Sequence, residues 1–197
     1  MPVKKCVTLY TFDELSDESK EKAREWAREW MSEDFDQLGA DSVIDDAKEI
    51  GKLMGIDIDH VYYSGFWSQG DGAQFTGFYS YAKDSVKKVI EYAPQDTELH
   101  RIVKALFNLQ KPNFYRLQAS VKHSGHYSHA FCTSIDVSPD DITDSTSEEL
   151  KEILRDYMHW IYRQLEKEYE YQMSDEQIDD TIKANEYTFE EDGTRRN

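Results

Sequence analysis

Three histidines stand close together in this chain: His123, His126 and His129, in the pattern HxxHxxH. Imidazole is a ready zinc ligand, and three of them with a fourth donor could hold a tetrahedral ion and activate a water. The surrounding pattern argues against that use. The histidines lie between two alternating segments that read as strands. In a strand, positions 123 and 129 share a face while 126 falls on the other, unless a turn intervenes. Only Asp136, on the next strand, offers a further ligand, so no metal is expected. His60, His100 and His159 are isolated and read as structural. Nucleophilic chemistry lacks its usual residues. There is no GxSxG elbow, no HExxH and no cysteine beside an activating base. The 40 acids supply carboxylate pairs at every spacing, so no pair stands out as general acid and base. The chain reads as having no catalytic residue and no cofactor.

The loop Gly65–Gly77 is the other unusual segment. Gly65, Gly70, Gly72 and Gly77 are four of the nine glycines in the chain. Glycine permits positive φ and close backbone approach. Trp67 offers a flat apolar surface, and Gln69, Asp71 and Gln74 offer polar contacts. The spacing is not GxGxxG and no GK[ST] follows, so a phosphate cradle is not expected. Two readings stand: a loop for a ligand or partner, and a wide, bulged hairpin connection that binds nothing.

Charge is the third signal. The net charge is −17, and it is uneven. Residues 83–130 carry eight bases and four acids, net +4, within a chain that is otherwise acidic. Glu18, Glu21, Glu25, Glu29, Glu33 and Asp36 recur at helical spacing, with Lys22, Arg24 and Arg28 interleaved as local compensation. From Glu166 to Asp192 there are eleven acids and only Lys167 and Lys183 as bases. Glu166, Glu168, Glu170, Asp175, Glu176, Asp179, Asp180, Glu190, Glu191 and Asp192 therefore read as an uncompensated, self-repelling face. An acidic chain is unsuited to binding nucleic-acid phosphates directly and suited to meeting a basic partner. It is equally what a solvated surface looks like.

The elements that must position these residues follow from periodicity. Val3–Phe12 reads as a first strand. Ser16 caps a helix whose stripe is Ala23, Trp26, Ala27, Trp30, Met31 and Leu38, and a second helix runs from Val43 to Gly55. Ile56–Tyr63 and Gln74–Tyr81 read as a hairpin. Two short helices follow, the first ended by Pro94 and the second capped by Asp96. Phe114–His123 and Tyr127–Val137 form another hairpin, with Tyr115, Leu117, Ala119 and Val121 alternating, and likewise Phe131, Thr133, Ile135 and Val137. A long helix over 147–171 and a last one capped by Ser174 complete the chain. Ser64–Gln69 and Ser124–His129 share a small-Gly-aromatic-aromatic-Ser-polar pattern, which places two similar turns in one antiparallel sheet. The expected fold is α+β: about five antiparallel strands built from hairpins, about six helices packed on them, and Trp26 and Trp30 buried beneath the sheet. A single domain over 1–192 with a frayed 193–197 tail fits the length. No apolar run of about 18 residues and no leader pattern is present, so neither a membrane span nor export is expected. Cys6 and Cys132 read as free thiols of a reducing cytoplasm.

Five segments carry a resemblance: YTFDELSDESKEKAREW, SGFWSQGDGAQFTG, YAPQDTELHRI, ASVKHSGHYSH and WIYRQLEKEYEYQMSDE. Together they resemble a family of small acidic, mostly uncharacterised proteins of tailed phages, prophages and mobile elements, sometimes labelled antitoxin-like. The resemblance implies a bacterial host cytoplasm and a protein that meets a host protein. The expectation is an inhibitor of a bacterial defence or nucleic-acid-binding protein, of anti-CRISPR or anti-restriction type. Its carboxylates would stand in for phosphates against Arg and Lys, with Trp67, Gln69 and Asp71 as an added anchor. The partner would be a basic host protein or nucleoprotein complex. Two other classes remain open: an antitoxin or regulatory binder that does not mimic DNA, and a small-molecule binder or hydrolase built from the Gly65–Gly77 loop with His123, His126 and His129.

Overall fold

The computed structural model describes residues 7–123, 125 and 127–195, apart from the side chains of 33, 34 and 36–38. The chain folds as α+β, in two compact units: Ser42–Glu166, and a terminal unit made of the segments before and after it.

In the central unit, helix α2 (Ala40–Met54) leads into strands β2 (Ile56–Ser64) and β3 (Gly72–Ser80). Helices α3 (Ser85–Tyr92) and α4 (Thr97–Gln110) follow, then β4 (Gln118–His123), β5 (Thr133–Ser138) and the long α5 (Asp144–Gln172). The four strands form an antiparallel sheet in the order β2-β3-β4-β5. Period-two alternation buries one face: Ala73, Phe75 and Tyr79 on β3, Ala119 and Val121 on β4, Thr133 and Ile135 on β5. The register of β2 slips between Ile58 and His60, so the inward residues shift from Ile56 and Ile58 to Val61. Gly77 faces that bulge at φ 154, and a Cβ there would stand 2.0 Å from the Asp57 carbonyl oxygen. Leu150, Ile153, Leu154, Tyr157, Met158, Ile161 and Leu165 form the buried stripe of α5. Tyr157 packs edge-on to Phe75 and donates its hydroxyl to the Ala47 carbonyl. Burial pushes that phenol well above its ordinary value.

The terminal unit holds β1 (Tyr10–Thr11), a 3-10 turn at Phe12–Glu14, α1 (Asp17–Leu38), α6 (Asp175–Ala184) and β6 (Thr188–Phe189). Its core is Phe12, Leu15, Ala23, Ala27, Ile178, Ile182 and Phe189.

Several expectations change here. Among the described residues the first strand is reduced to Tyr10–Thr11, which is not part of the main sheet. Val3–Cys6 lie outside the described residues, and Tyr10–Thr11 pair antiparallel with Thr188–Phe189. Thr11 and Glu14 close a capping box that ends the strand at once. Among the described residues the sheet therefore has four strands beside a separate ribbon. Trp26 and Trp30 are half-buried in the terminal unit rather than under the sheet, against Tyr187 and, for Trp26, Phe189. Arg195 stacks its guanidinium on Tyr187 at 4.0 Å and Trp26 at 4.8 Å, and residues 196–197 of the expected tail lie outside the described residues. Phe114 and Tyr115 are not strand but left-handed backbone, at φ 54 and 58. Phe131 sits in a 3-10 turn, 61% exposed, and β5 begins two residues later.

Candidate partner-binding surface

In a meander ordered β2-β3-β4-β5, the β2–β3 and β4–β5 connections emerge at the same end of the sheet. The glycine-rich loop and the histidine turn, far apart in sequence, are therefore neighbours. Gly72 marks the approach: a Cβ there would lie 3.0 Å from the His129 ring and 3.2 Å from the Ser128 carbonyl oxygen.

Gln74 locks this end. It is fully buried, and its amide is engaged at both ends. The nitrogen donates to His123 Nδ1 and to the Tyr127 carbonyl (2.9 Å), while the oxygen accepts from Thr133 Oγ1 (2.6 Å). One side chain on β3 thus fixes β4, the 127 backbone and β5. An acceptor Nδ1 leaves the His123 proton on Nε2. Tyr62 stacks on the same imidazole at 4.6 Å. His129 accepts from the Phe131 amide through Nδ1 and caps its 3-10 turn.

Helix α5 lines the same end with Arg155, His159 and Tyr162, at spacings of four and three that share a helix face. The Arg155 guanidinium lies 5.2 Å from the centre of the Phe131 ring. His159 meets Phe131 at 6.0 Å and His129 at 6.3 Å. Burial first, and the neighbouring His129 second, hold the His159 imidazole below its ordinary value, favouring the neutral ring. The Tyr162 hydroxyl donates to the Gly65 carbonyl (3.3 Å), and its ring stacks on Phe66 at 5.8 Å. Phe66 in turn meets Trp67 at 6.3 Å. Burial raises the Tyr162 phenol, and Asp71 adds to it. A row of rings therefore runs along one strip of α5. It ends in side chains that stay in water, Trp67 at 66% exposed and Phe131 at 61%; Tyr127, on the neighbouring turn, is 71% exposed. Trp67 is held at φ 70, a left-handed conformation that costs a bulky residue energy. Asp71 accepts from the Ser68 amide (2.7 Å) and shapes the loop, and Gln69 projects outward.

The acidic residues behave differently from their sequence reading. The bases interleaved on α1 are not confined to their own helix. Arg24 grips Asp179 with two parallel bonds, 2.7 and 2.8 Å. Arg28 pairs with Asp175 as well as Glu21, and Lys22 with Asp192 at 2.6 Å. Lys183 reaches Asp13 at 3.0 Å. Glu168 accepts from the Gln172 amide. Glu166, Glu170, Glu176, Asp180 and Glu191 hold no ion pair among the described residues, and neither do Glu18, Glu25 and Glu29 on α1. Glu190 lies beside the Thr194 turn, its amide donating to the Thr194 carbonyl. The side chains of Glu33 and Asp36, and the whole of His126, lie outside the described residues. Among the described residues no three His, Cys, Asp or Glu side chains gather as a metal site, and no helix is long and apolar enough to cross a membrane.

The sequence missed Tyr127, Phe131, Arg155, His159 and Tyr162 as members of one surface. The spacing of the last three on the polar side of α5 was the available signal. Phe131 was hidden by an alternation that placed it in the core.

The molecule is thus an α+β protein whose central unit carries an aromatic-ended antiparallel meander. The chain matches the Domain of unknown function (DUF8835) over residues 40–175, most of its length, and belongs to that family. The match contains the whole central unit and only the margins of the terminal one. No curated protein and no solved structure matches it.

Proposed function

We propose that this protein is a non-enzymatic binder that docks on a partner protein through the aromatic end of its central unit. The observation that carries the reading is the exposure of Trp67, Tyr127 and Phe131 on turns fixed from beneath by Gln74, His129 and Tyr162. Large aromatics on a rigid support are what interface hot spots are made of, because little entropy is lost when they are buried. The net charge of −17 steers the molecule toward a basic partner and raises its on-rate. That partner is a basic, nucleic-acid-handling protein of the bacterial host, and the outcome of docking is its inhibition. His123, His129 and His159 serve packing and hydrogen bonding, which supports binding over catalysis.

Direct phosphate mimicry by the C-terminal acids is the second reading. Glu166, Glu170, Glu176, Asp180 and Glu191 favour it, being free of ion pairs among the described residues. Asp175, Asp179 and Asp192 do not, since their charge is already met by Arg28, Arg24 and Lys22.

The test is capture from a bacterial lysate with three baits: the native chain, Trp67→Ala/Phe131→Ala, and Glu166→Gln/Glu170→Gln/Glu176→Gln/Asp180→Asn. Docking by the aromatic end requires that the first variant lose the captured partner. The second should keep it with a weaker salt dependence. The reverse pattern makes mimicry the function. Turnover of small esters or phosphates that His129→Ala abolishes would make the protein an enzyme.

A further inference from the structure

A second surface of the central unit carries features that the aromatic end does not explain. Between α3 and α4 lies an open groove of about 600 Å³ with Tyr81, Val86, Ile90 and Phe107 as its apolar lining and Lys87 and Lys104 at its rim. Left-handed backbone gathers around it. Of the five described non-glycine residues at positive φ, three are Asp84, Phe114 and Tyr115. Asp84 lines the groove. Tyr115 packs on two of its walls, Tyr81 at 4.5 Å and Phe107 at 6.3 Å. Phe114, next in the chain, is 83% exposed, the most exposed large apolar side chain described. Left-handed bulky residues are costly and persist where the surrounding structure or a function requires them. Tyr115 is explained by its packing and by its amide, which donates to the Gln110 carbonyl at 2.9 Å. Phe114 has no such return: its ring meets water at φ 54.

The charge here is also inverted. Residues 83–130 hold eight bases against four acids, net +4, while the whole chain stands at −17. Lys83, Lys88, Lys104 and Lys111 are exposed and hold no ion pair among the described residues. Lysines left unpaired in so acidic a protein mark a place where negative charge is supplied from outside.

We propose that the α3–α4 groove docks a short acidic segment of a partner protein. An aliphatic or aromatic anchor of that segment enters between Val86 and Ile90, Phe114 closes over it, and its carboxylates meet the unpaired Lys104 and take the place of Glu91 on Lys87. A second copy docked face to face would bring two basic surfaces together. A nucleic acid would set a dense line of phosphates against Asp84, Glu91 and the acidic field of the whole molecule. A peptide with two or three carboxylates and an apolar anchor fits both the lining and the rim. This site is separate from the aromatic end, so either can fail without the other.

The probe is a fluorescein-labelled 15-residue helical peptide with Leu and Phe anchors at i and i+4 and Glu at the flanking positions. Its controls are the same peptide with Lys for Glu, a Glu peptide without anchors, and a single-stranded oligonucleotide. Amide chemical-shift changes on the full chain should map to residues 81–91, 104–107 and 111–116 with the acidic anchored peptide alone. Lys87→Glu/Lys104→Glu should weaken it about tenfold or more. Phe114→Gly separates docking from fold. Glycine accepts φ 54 without strain, so the melting temperature should rise by about 2–4 °C while peptide affinity falls. Three outcomes would overturn the proposal: tighter binding of the Lys peptide or the oligonucleotide, concentration-dependent self-association that shifts these same amides, or Phe114→Gly leaving peptide affinity unchanged.

Discussion

The two units both pair charge but treat aromatic surface in opposite ways. In the terminal unit, Lys22, Arg24 and Arg28 on α1 each meet a carboxylate of α6 or the segment after it, and Trp26, Tyr187 and Arg195 stack on one another. The central unit keeps its order by a buried hydrogen-bond junction at Gln74, yet leaves Trp67, Tyr127, Phe131 and Phe114 in water and Lys83, Lys88, Lys104 and Lys111 exposed without ion pairs among the described residues. In the terminal unit the pairs tie α1 to the C-terminal segment, while Glu18, Glu25, Glu29, Glu170, Glu176, Asp180 and Glu191 hold no ion pair among the described residues; in the unit within the family match it is the aromatic side chains that are displayed. A count of acids therefore locates where charge is, and only pairing decides which of it is available to a partner.

The largest effect that would sharpen this contrast is expected at Gln74. Gln74→Ala leaves Thr133 Oγ1 without its partner in a buried site, removes the partly buried bonds to His123 Nδ1 and the Tyr127 carbonyl, and should cost about 2–4 kcal/mol in urea unfolding. That cost should barely change between low and high salt, because no ion pair is lost. A marginal loss would mean that this end of the sheet is held by something else.

Charge reversal in sign comes next. If the C-terminal acids simply repelled each other, Asp175→Asn/Asp179→Asn would stabilise the protein. Because Arg28 and Arg24 grip these carboxylates, the double variant should instead lose about 1 kcal/mol, and less at high salt. Glu176→Gln/Asp180→Asn, at positions without ion pairs, should stay within about 0.5 kcal/mol of the native chain. Equal effects for the two doubles would erase the distinction drawn between paired and available acids.

A smaller effect is expected from pH. The folded state holds His159 below its ordinary value of 6.5, so the unfolded chain takes up that proton first as pH falls. The contribution of the neutral ring is complete above about 6.5 and is lost progressively below it. Urea midpoints at pH 7.5 and 5.5 should therefore differ less for His159→Gln than for the native chain. An unchanged difference would remove His159 from the account.

The smallest effect on stability belongs to the aromatic end itself. Trp67→Ala/Phe131→Ala should leave thermal unfolding within about 1 kcal/mol of native, since both side chains are mostly in water already, while removing partner capture. A large loss of stability would make these rings structural rather than displayed.

What the sequence determined by itself is local. Ser16, Asp96 and Ser174 were legible as N-caps because the cap is a bond between residues three apart. The buried positions Leu117, Ala119 and Val121, and Thr133 and Ile135, were legible because burial follows a fixed period. The α+β class followed from the order of those elements. The positive φ values at Trp67, Phe114 and Tyr115 left no such mark, as no side-chain type there announces them. Nor did the joining of the Gly65–Gly77 loop to the 127–132 turn, which depends on strand order, or the pairing of Arg24 with Asp179, 155 positions apart. Those are facts about which distant segments lie side by side. Only the tertiary structure decides them, because each distant contact is set by the sum of all the others rather than by any one stretch of chain.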